Sequence, residues 1–308
     1  MTILPVRRAV ARGSTAAIAA GVALPAVRRW SGLAATGMAA WAAMAAAQIV
    51  IPLTDRRAGP TVVVVVAATV AAWAWAAMAW GVTRAGAVLA WVVGSTLLLE
   101  RVGTTTGFPF GTYRYTGALQ PQVAGVPLIV PLAWFAVGVP ALEVAGRITG
   151  GRVGSGRART GFSGGRAGRH AGRAARFSSG GIRLEPMLGR WVVAALALTA
   201  WDLFLDPQMV GEGYWVWTGD GAYRGIPLTN YVGWFFSALV VLAVADRIVG
   251  GAGVARSLPL LGLYTWWAVM ETVGFLVFFG DPLVGVVGGV AMGVPTVLAW
   301  RRLVPLRG

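Results

Sequence analysis

Four carboxyl groups in this sequence stand where acids are costly: Asp202 and Asp206 in WDLFLDPQMVGEGYWVW (201–217), Glu100 at the end of another apolar run, and Glu271 inside a third. Four residues make about one helical turn, so Asp202 and Asp206 share a helix face. An ionised carboxylate at membrane depth costs a few kcal/mol unless it is paired, protonated or turned toward a cavity. Two kinds of chemistry suit such groups. A carboxylic acid kept neutral by apolar surroundings can donate a proton while a second carboxyl takes one from water; alternatively, an Asp-x-x-x-Asp pair can hold magnesium and a diphosphate. Each acid also has a structural reading. Pro207 ends a helix beside Asp206, leaving it at an interface where water is near, and Arg101 and Arg114 offer Glu100 an ion pair. Asp202 lies a turn deeper, and Glu271 has apolar residues on both sides.

Aromatic residues recur beside these acids in a repeating pattern. Gly111–Gly117 (GTYRYTG) and Gly213–Gly219 (GYWVWTG) both read Gly, x, aromatic, x, aromatic, Thr, Gly. GVPLIVPLAWF (125–135) then matches GIPLTNYVGWF (225–235), and RITGG (147–151) matches RIVGG (247–251), at offsets of 102, 100 and 100 residues. The first offset sets Glu100 opposite Asp202. A fainter third copy starts at Glu271-Thr-Val-Gly274, like Glu100-Arg-Val-Gly103, and continues to GVPTVLAW (293–300). The pattern predicts helix hairpins repeated in parallel, each with an acid in or at the end of its first helix; such repeats also build transporters. Many tryptophans serve as interfacial anchors or packing, but Tyr113, Tyr115, Trp215 and Trp217 sit at matching repeat positions, where their rings can line an apolar slot or face a cation. Cysteine is absent and His170 is the one histidine. There is no thiolate chemistry, no His or Cys metal constellation, no nucleotide loop and no Ser-His-Asp set to argue.

The elements that carry these residues are membrane helices. Of the 308 residues 57% are hydrophobic and 12% charged, and the apolar runs are long enough for a bilayer core of roughly 30 Å. The expected fold is all-α, a polytopic membrane bundle of about eight helices: Trp30 to Leu53, Thr61 to Val82, Ala85 to Glu100 (the shortest), Val126 to Ala145, Met187 to Leu205, Leu228 to Ala245, Leu258 to Phe279 and Leu283 to Trp300. All 26 basic residues are arginine, and with the N-terminus inside 21 fall on inner segments and 5 (Arg56, Arg57, Arg101, Arg114, Arg224) on outer ones. That asymmetry places both termini in the cytoplasm of a multi-pass cell-membrane protein. It also accounts for the net charge of +15 without nucleic acid as a partner.

Residues 1–29 are expected to be a basic cytoplasmic arm rather than a signal peptide, since Arg28 and Arg29 would otherwise have to cross. A single transmembrane domain follows over 30–300, interrupted by a disordered Arg/Gly-rich loop at 149–183 that rests on anionic lipids, and a basic tail closes the chain at 301–308. Gly285, Gly289 and Gly293 form a small-residue ridge for packing within the chain.

ERVGTTTGFPFGTYRYTG with the GVPL after it, WDLFLDP with its later YWVWTG, and GIPLTNYVGW together resemble the carotenoid hydratases that act on bisanhydrobacterioruberin in haloarchaea and on gamma-carotene in some bacteria. The resemblance runs from about Leu89 to Trp300 without the basic loop; that loop and the Ala-rich N-terminal helices depart from the family pattern. It implies addition of water to the terminal double bond of an acyclic carotenoid end, giving a tertiary hydroxyl. No redox cofactor is implied. The implied substrate is a carotenoid of forty or fifty carbons within the bilayer, with other carotenoid-biosynthesis enzymes as candidate partners. The roles follow from the residues themselves: Asp202 or Glu271 as general acid, Glu100 or Asp206 to position and deprotonate water, and Tyr113, Tyr115, Trp215 and Trp217 around the cation. Phe108, Trp201 and Asn230 complete the candidate substrate-binding set, and no metal ligands are assigned. Two rivals stand beside this reading. A magnesium-dependent membrane prenyltransferase would use Asp202 and Asp206, though the counterpart segment offers only Glu100. A non-enzymatic carotenoid-binding or transport protein would share the repeats and buried acids.

Overall fold

A computed structural model describes residues 14–150, 184–251 and 256–303. Among the described residues eight helices are long and apolar enough to cross a membrane, so the chain is an all-α, multi-pass membrane bundle. In order they are α1 (Ser14–Val50), α2 (Ala58–Trp80), α3 (Val82–Thr106), α4 (Ile129–Thr149), α5 (Leu184–Gly211), α6 (Leu228–Val249), α7 (Leu258–Val273, continued as a π-helical turn Gly274–Phe278) and α8 (Pro282–Arg301). Four short strands lie outside them: β1 (Tyr113–Tyr115), β2 (Gln122–Val123), β3 (Val126–Pro127) and β4 (Trp215–Trp217). Helix α4 forms the centre, with 89% of its span buried, and α1 the periphery, with 17%. Most of the expected basic arm's first half, nearly all of the Arg/Gly-rich loop and the tail from 304 lie outside the described residues. Helix α1 starts at Ser14, within the segment read as an arm, and its candidate span is Gly32–Leu53.

Several helix ends differ from expectation, and the C-terminal ends of α3 and α5 each run six residues further. Helix α3 continues past Glu100 to Thr106, and the hydroxyls of Thr104, Thr105 and Thr106 bond back to carbonyls one turn earlier. It stops at Gly107, which takes the left-handed conformation at φ 77°. Helix α5 runs through Pro207 to Gly211. A proline inside a helix strands the carbonyl four residues back, which here is Leu203, and the Tyr223 hydroxyl donates to that oxygen at 3.2 Å. Asp206 is therefore inside a helix and buried, not at an interfacial end.

The repeats meet as two-fold partners. β1 pairs antiparallel with β4, Tyr113 opposite Trp217, Arg114 opposite Val216 and Tyr115 opposite Trp215. On one side the Thr116 N–H donates to the Tyr214 carbonyl and on the other the Thr218 N–H donates to the Thr112 carbonyl, both at 3.0 Å. Trp134 and Trp234, equivalent in the repeat, stack face to face at 4.1 Å and 12°. Helices also pair crosswise, α4 on α5 and α3 on α6. Antiparallel pairing of equivalent strands and stacking of equivalent rings are what a two-fold axis between copies produces, and for parallel repeats that axis runs along the membrane normal. α7 and α8 make a third hairpin, joined by a tight turn without a strand. On α8, Gly285 packs against Leu276 and Gly289 against Thr272, close enough that a Cβ would stand 2.9 Å from either side chain, whereas Gly293 faces open space.

Candidate active site

Strand alternation decides which ribbon residues reach the interior. Tyr113, Tyr115, Trp215 and Trp217 point inward, while Arg114 and Val216 point out. Glu100, buried in the last turns of α3, accepts hydrogen bonds on Oε2 from Tyr113 (2.5 Å) and Tyr115 (2.7 Å). Burial above all pushes both phenols upward from the ordinary tyrosine range, so they remain protonated donors. The ion pair of the structural alternative for Glu100 is absent among the described residues: Arg101 reaches the Ala124 carbonyl instead, and Arg114 lies on the outer face of the ribbon.

The second copy answers with different donors. Asp206 accepts the Trp215 indole N–H on Oδ1 at 3.0 Å and the Asn230 amide on Oδ2. The same amide nitrogen donates to Asp202 Oδ2 at 2.9 Å. Asp202 is fully buried behind it, and its Oδ1 has no partner among the described residues. Sequence offset equates Glu100 with Asp202, but the acid held by the ribbon in the second copy is Asp206.

Glu100 and Asp206 face one small chamber of about 20 Å³, closed by Phe110, Tyr115, Trp215, Asn230 and Trp234. That volume and its several polar partners suit a single water molecule. An apolar space of about 40 Å³ adjoins it, sharing Trp215 and Trp234. A larger cavity of about 190 Å³ follows, sharing Thr61, Val65 and Met209 with the apolar space. Leu205 borders all three.

Not every residue singled out in the sequence belongs to this constellation. Glu271 lines the large cavity, away from the chamber of Glu100 and Asp206, and hydrogen-bonds Gln48. Trp201 also lines that cavity, its ring edge-on to Trp267 and Trp234. Phe108 is displaced altogether: it is 74% exposed in the turn after α3, and the ring returned to the core by that turn is Phe110. Sequence reasoning missed Phe110, Gln48 and the Trp134–Trp234 stack. The repeat contained the signal for the stack, since both tryptophans stand at the same place in its second anchor. The signal for Gln48 was a lone carboxamide in an apolar run. Two further buried acids, Glu143 and Asp246, lie toward the other end of the bundle and are ion-paired, with Arg147 at 2.5 Å and Arg190 at 2.9 Å.

Residues 59–298 match the model of a family described as "Carotenoid biosynthesis protein", and the chain belongs to that family. A bisanhydrobacterioruberin hydratase from Haloarcula japonica is 27% identical over 176 residues, covering 57% of this chain and 49% of that protein. The chain thus spans about half the length of the curated relative it matches. No solved structure matches it. The family match starts in α2, so α1 lies upstream of it.

Proposed function

We propose that this member of the carotenoid biosynthesis family is a hydratase that adds water across the terminal double bond of an acyclic carotenoid end, giving a tertiary alcohol. The observation that carries the reading is the water-sized chamber between two buried carboxyl groups, set against apolar cavities able to take an isoprenoid end. The named activity of the Haloarcula japonica relative supports it.

Hydrogen-bond directions suggest how the roles divide. Both Asp206 oxygens accept from N–H donors, which suits a carboxylate that orients water and takes its proton. Both phenol bonds of Glu100 land on Oε2, and Oε1 is the oxygen that can carry the acid proton. That proton goes to the less substituted alkene carbon, the π pair forming the C–H bond, and a tertiary cation is left on the neighbouring carbon. Water then forms the C–O bond and loses a proton to Asp206; its return across the chamber to Glu100 resets the site. One water is added, and the reaction is redox-neutral. Trp215 and Trp234 border both the chamber and the apolar space, so their rings can stabilise the cation, and proximity offsets the weakness of a buried acid. Asp202, sharing the Asn230 amide with Asp206, holds that amide in place. The arginine bias supports cytoplasmic termini and a site toward the outer leaflet.

The magnesium-diphosphate alternative fits less well. Asp202 and Asp206 are both engaged by Asn230, and among the described residues no group of three or more metal-binding side chains comes together. Mass spectrometry of pigments from a lycopene-producing host, with and without the chain, tests the proposal. A pigment gaining the mass of one water is the expected result; pigment bound but unchanged in mass would favour binding or transport.

A further inference from the structure

Glu271 has no part in the chemistry above, yet it is an acid only 7% exposed, on the wall of the 190 Å³ cavity. Among the described residues its one hydrogen bond is a long one, from Gln48 Nε2 to Oε1 at 3.4 Å. The Gln48 amide is fixed by its other neighbour, the Trp266 indole N–H, which meets it at 2.8 Å. An indole can only donate, so the atom facing it is Oε1, and the NH₂ must face Glu271. The result is a carboxyl group and an amide donor, side by side and poorly matched to each other, at the edge of an apolar space. A buried carboxyl with one weak bond is costly at this depth, so a ligand group that completes it gains affinity.

The chemistry of that group is narrow. An oxygen between the two side chains would accept from Gln48 Nε2 and, if it bears hydrogen, donate to Glu271. A hydroxyl suits Glu271 whether ionised or protonated, because it both gives and takes a hydrogen bond; a carbonyl suits only the protonated acid. The rest of the ligand must be apolar. Ile49, Leu53, Val273 and Phe278 line the cavity and are exposed on the lipid-facing surface, so a lipid-soluble chain can enter from the side.

We propose that Glu271 and Gln48 form a hydroxyl-recognising subsite, which selects an isoprenoid chain already carrying a hydroxyl and directs its unsaturated end past Leu205 toward Asp206. The inference rests on the hydratase reading for the fate of that end, but not for the binding. Gln48 lies on α1, outside the family match. Half of the subsite is therefore supplied by a helix that the family pattern does not include.

Binding is best measured in full-length Asp206→Asn protein, so that no hydroxyl is added during expression. The host makes both an acyclic hydrocarbon carotenoid and its monohydroxylated counterpart. The ratio of the two pigments on purified protein is compared with their ratio in the membrane. Enrichment of the hydroxylated pigment by about tenfold, the worth of one net hydrogen bond, is expected. Adding Gln48→Leu should return the ratio to that of the membrane, as should Glu271→Leu. Adding Glu271→Gln, which keeps a donor and an acceptor, should retain most of the enrichment and shows that the fold tolerates change there. No enrichment in the parent, or enrichment unaffected by Gln48→Leu, overturns the subsite. Hydration by otherwise unaltered protein is scored separately: enrichment without any hydration leaves the subsite standing and removes the hydratase reading.

Discussion

Glu100→Gln separates chemistry from structure at this site. A carboxamide keeps an acceptor oxygen for Tyr113 and Tyr115, whose two bonds converge on one Glu100 oxygen, and it turns its NH₂ into the chamber where the acid O–H is proposed to stand. No buried donor loses its acceptor, so stability should move by less than about 1 kcal/mol. Proton donation is lost, because an amide N–H does not protonate an alkene, and general acid catalysis contributes roughly 10²–10⁴ in rate. At about 1.4 kcal/mol per decade this is about 3–6 kcal/mol of transition-state stabilisation. The assay pairs thermal unfolding of detergent-purified protein with the hydrated fraction of pigment at matched protein level. Near-normal melting with hydration down by two decades or more is expected. Turnover close to wild type would remove Glu100 as the proton donor, and a large loss of stability would show that its hydrogen bonds are not those of an acceptor to two phenols.

Asp206→Asn should differ by failing on both counts. Both Asp206 oxygens face N–H donors, so the new amide sets one N–H against another and costs about 1–3 kcal/mol, while hydration falls by at least about 10²; a variant as stable as wild type would contradict the assigned donors. Phe108→Ala should change neither stability beyond about 0.5 kcal/mol nor activity, because the ring is exposed. Phe110→Ala, at a ring 1% exposed, should cost about 3–5 kcal/mol in unfolding experiments. Tyr223 gives an alkaline signature. Burial first, then the charge of Asp281, pushes its pKa up to about 12 from 10.0. A folded-state value above the unfolded one means stability fully present below pH 10 and lost as pH rises through about 12. Melting temperatures across that window should fall more steeply for wild type than for Tyr223→Phe, and parallel curves would refute the assignment.

The spans were readable in the sequence because run length and hydropathy report directly on membrane crossing. Their ends were not, because they depend on partners elsewhere. Nothing near Pro207 says that Tyr223 will rescue the Leu203 carbonyl and carry the helix on past Asp206. The repeat made the acid and aromatic modules visible, and its offsets placed Glu100, Asp202 and the ribbon aromatics in one argument. It was silent on how the copies meet, and the antiparallel pairing of β1 with β4 is what puts Asp206 rather than Asp202 in the chamber. Glu271 was grouped with the other acids as a partial third copy. Its hairpin has no strand to carry donors inward, and it faces another cavity. Phe108 and Phe110 flank one proline, and the left-handed turn at Gly107 decides which ring comes back to the core.

A two-fold scaffold also explains how one chamber can hold an acid and a base at once. Identical copies would give equivalent carboxyls the same surroundings and the same proton affinity, but the chamber sets Glu100 against Asp206, which the repeat offset does not make its counterpart. Here the frame is shared, with matching main-chain bonds flanking the ribbon and equivalent tryptophans stacked on the axis. The donors have diverged: two phenols converge on one oxygen of Glu100, whereas an indole and an amide occupy both oxygens of Asp206. Environments that set paired carboxyls apart are how a site divides acid from base. Exchanging the donors should therefore weaken the division. Trp215→Tyr shortens the reach to Asp206 Oδ1 and removes the indole N–H, freeing that oxygen to take up a proton. The pH profile of hydration should then shift its lower limb, the one set by ionisation of the base, toward higher pH. Trp215→Phe removes the N–H without adding a hydroxyl and should shift that limb in the same direction. An unmoved limb in both variants would mean that the Trp215 bond does not set the charge of Asp206.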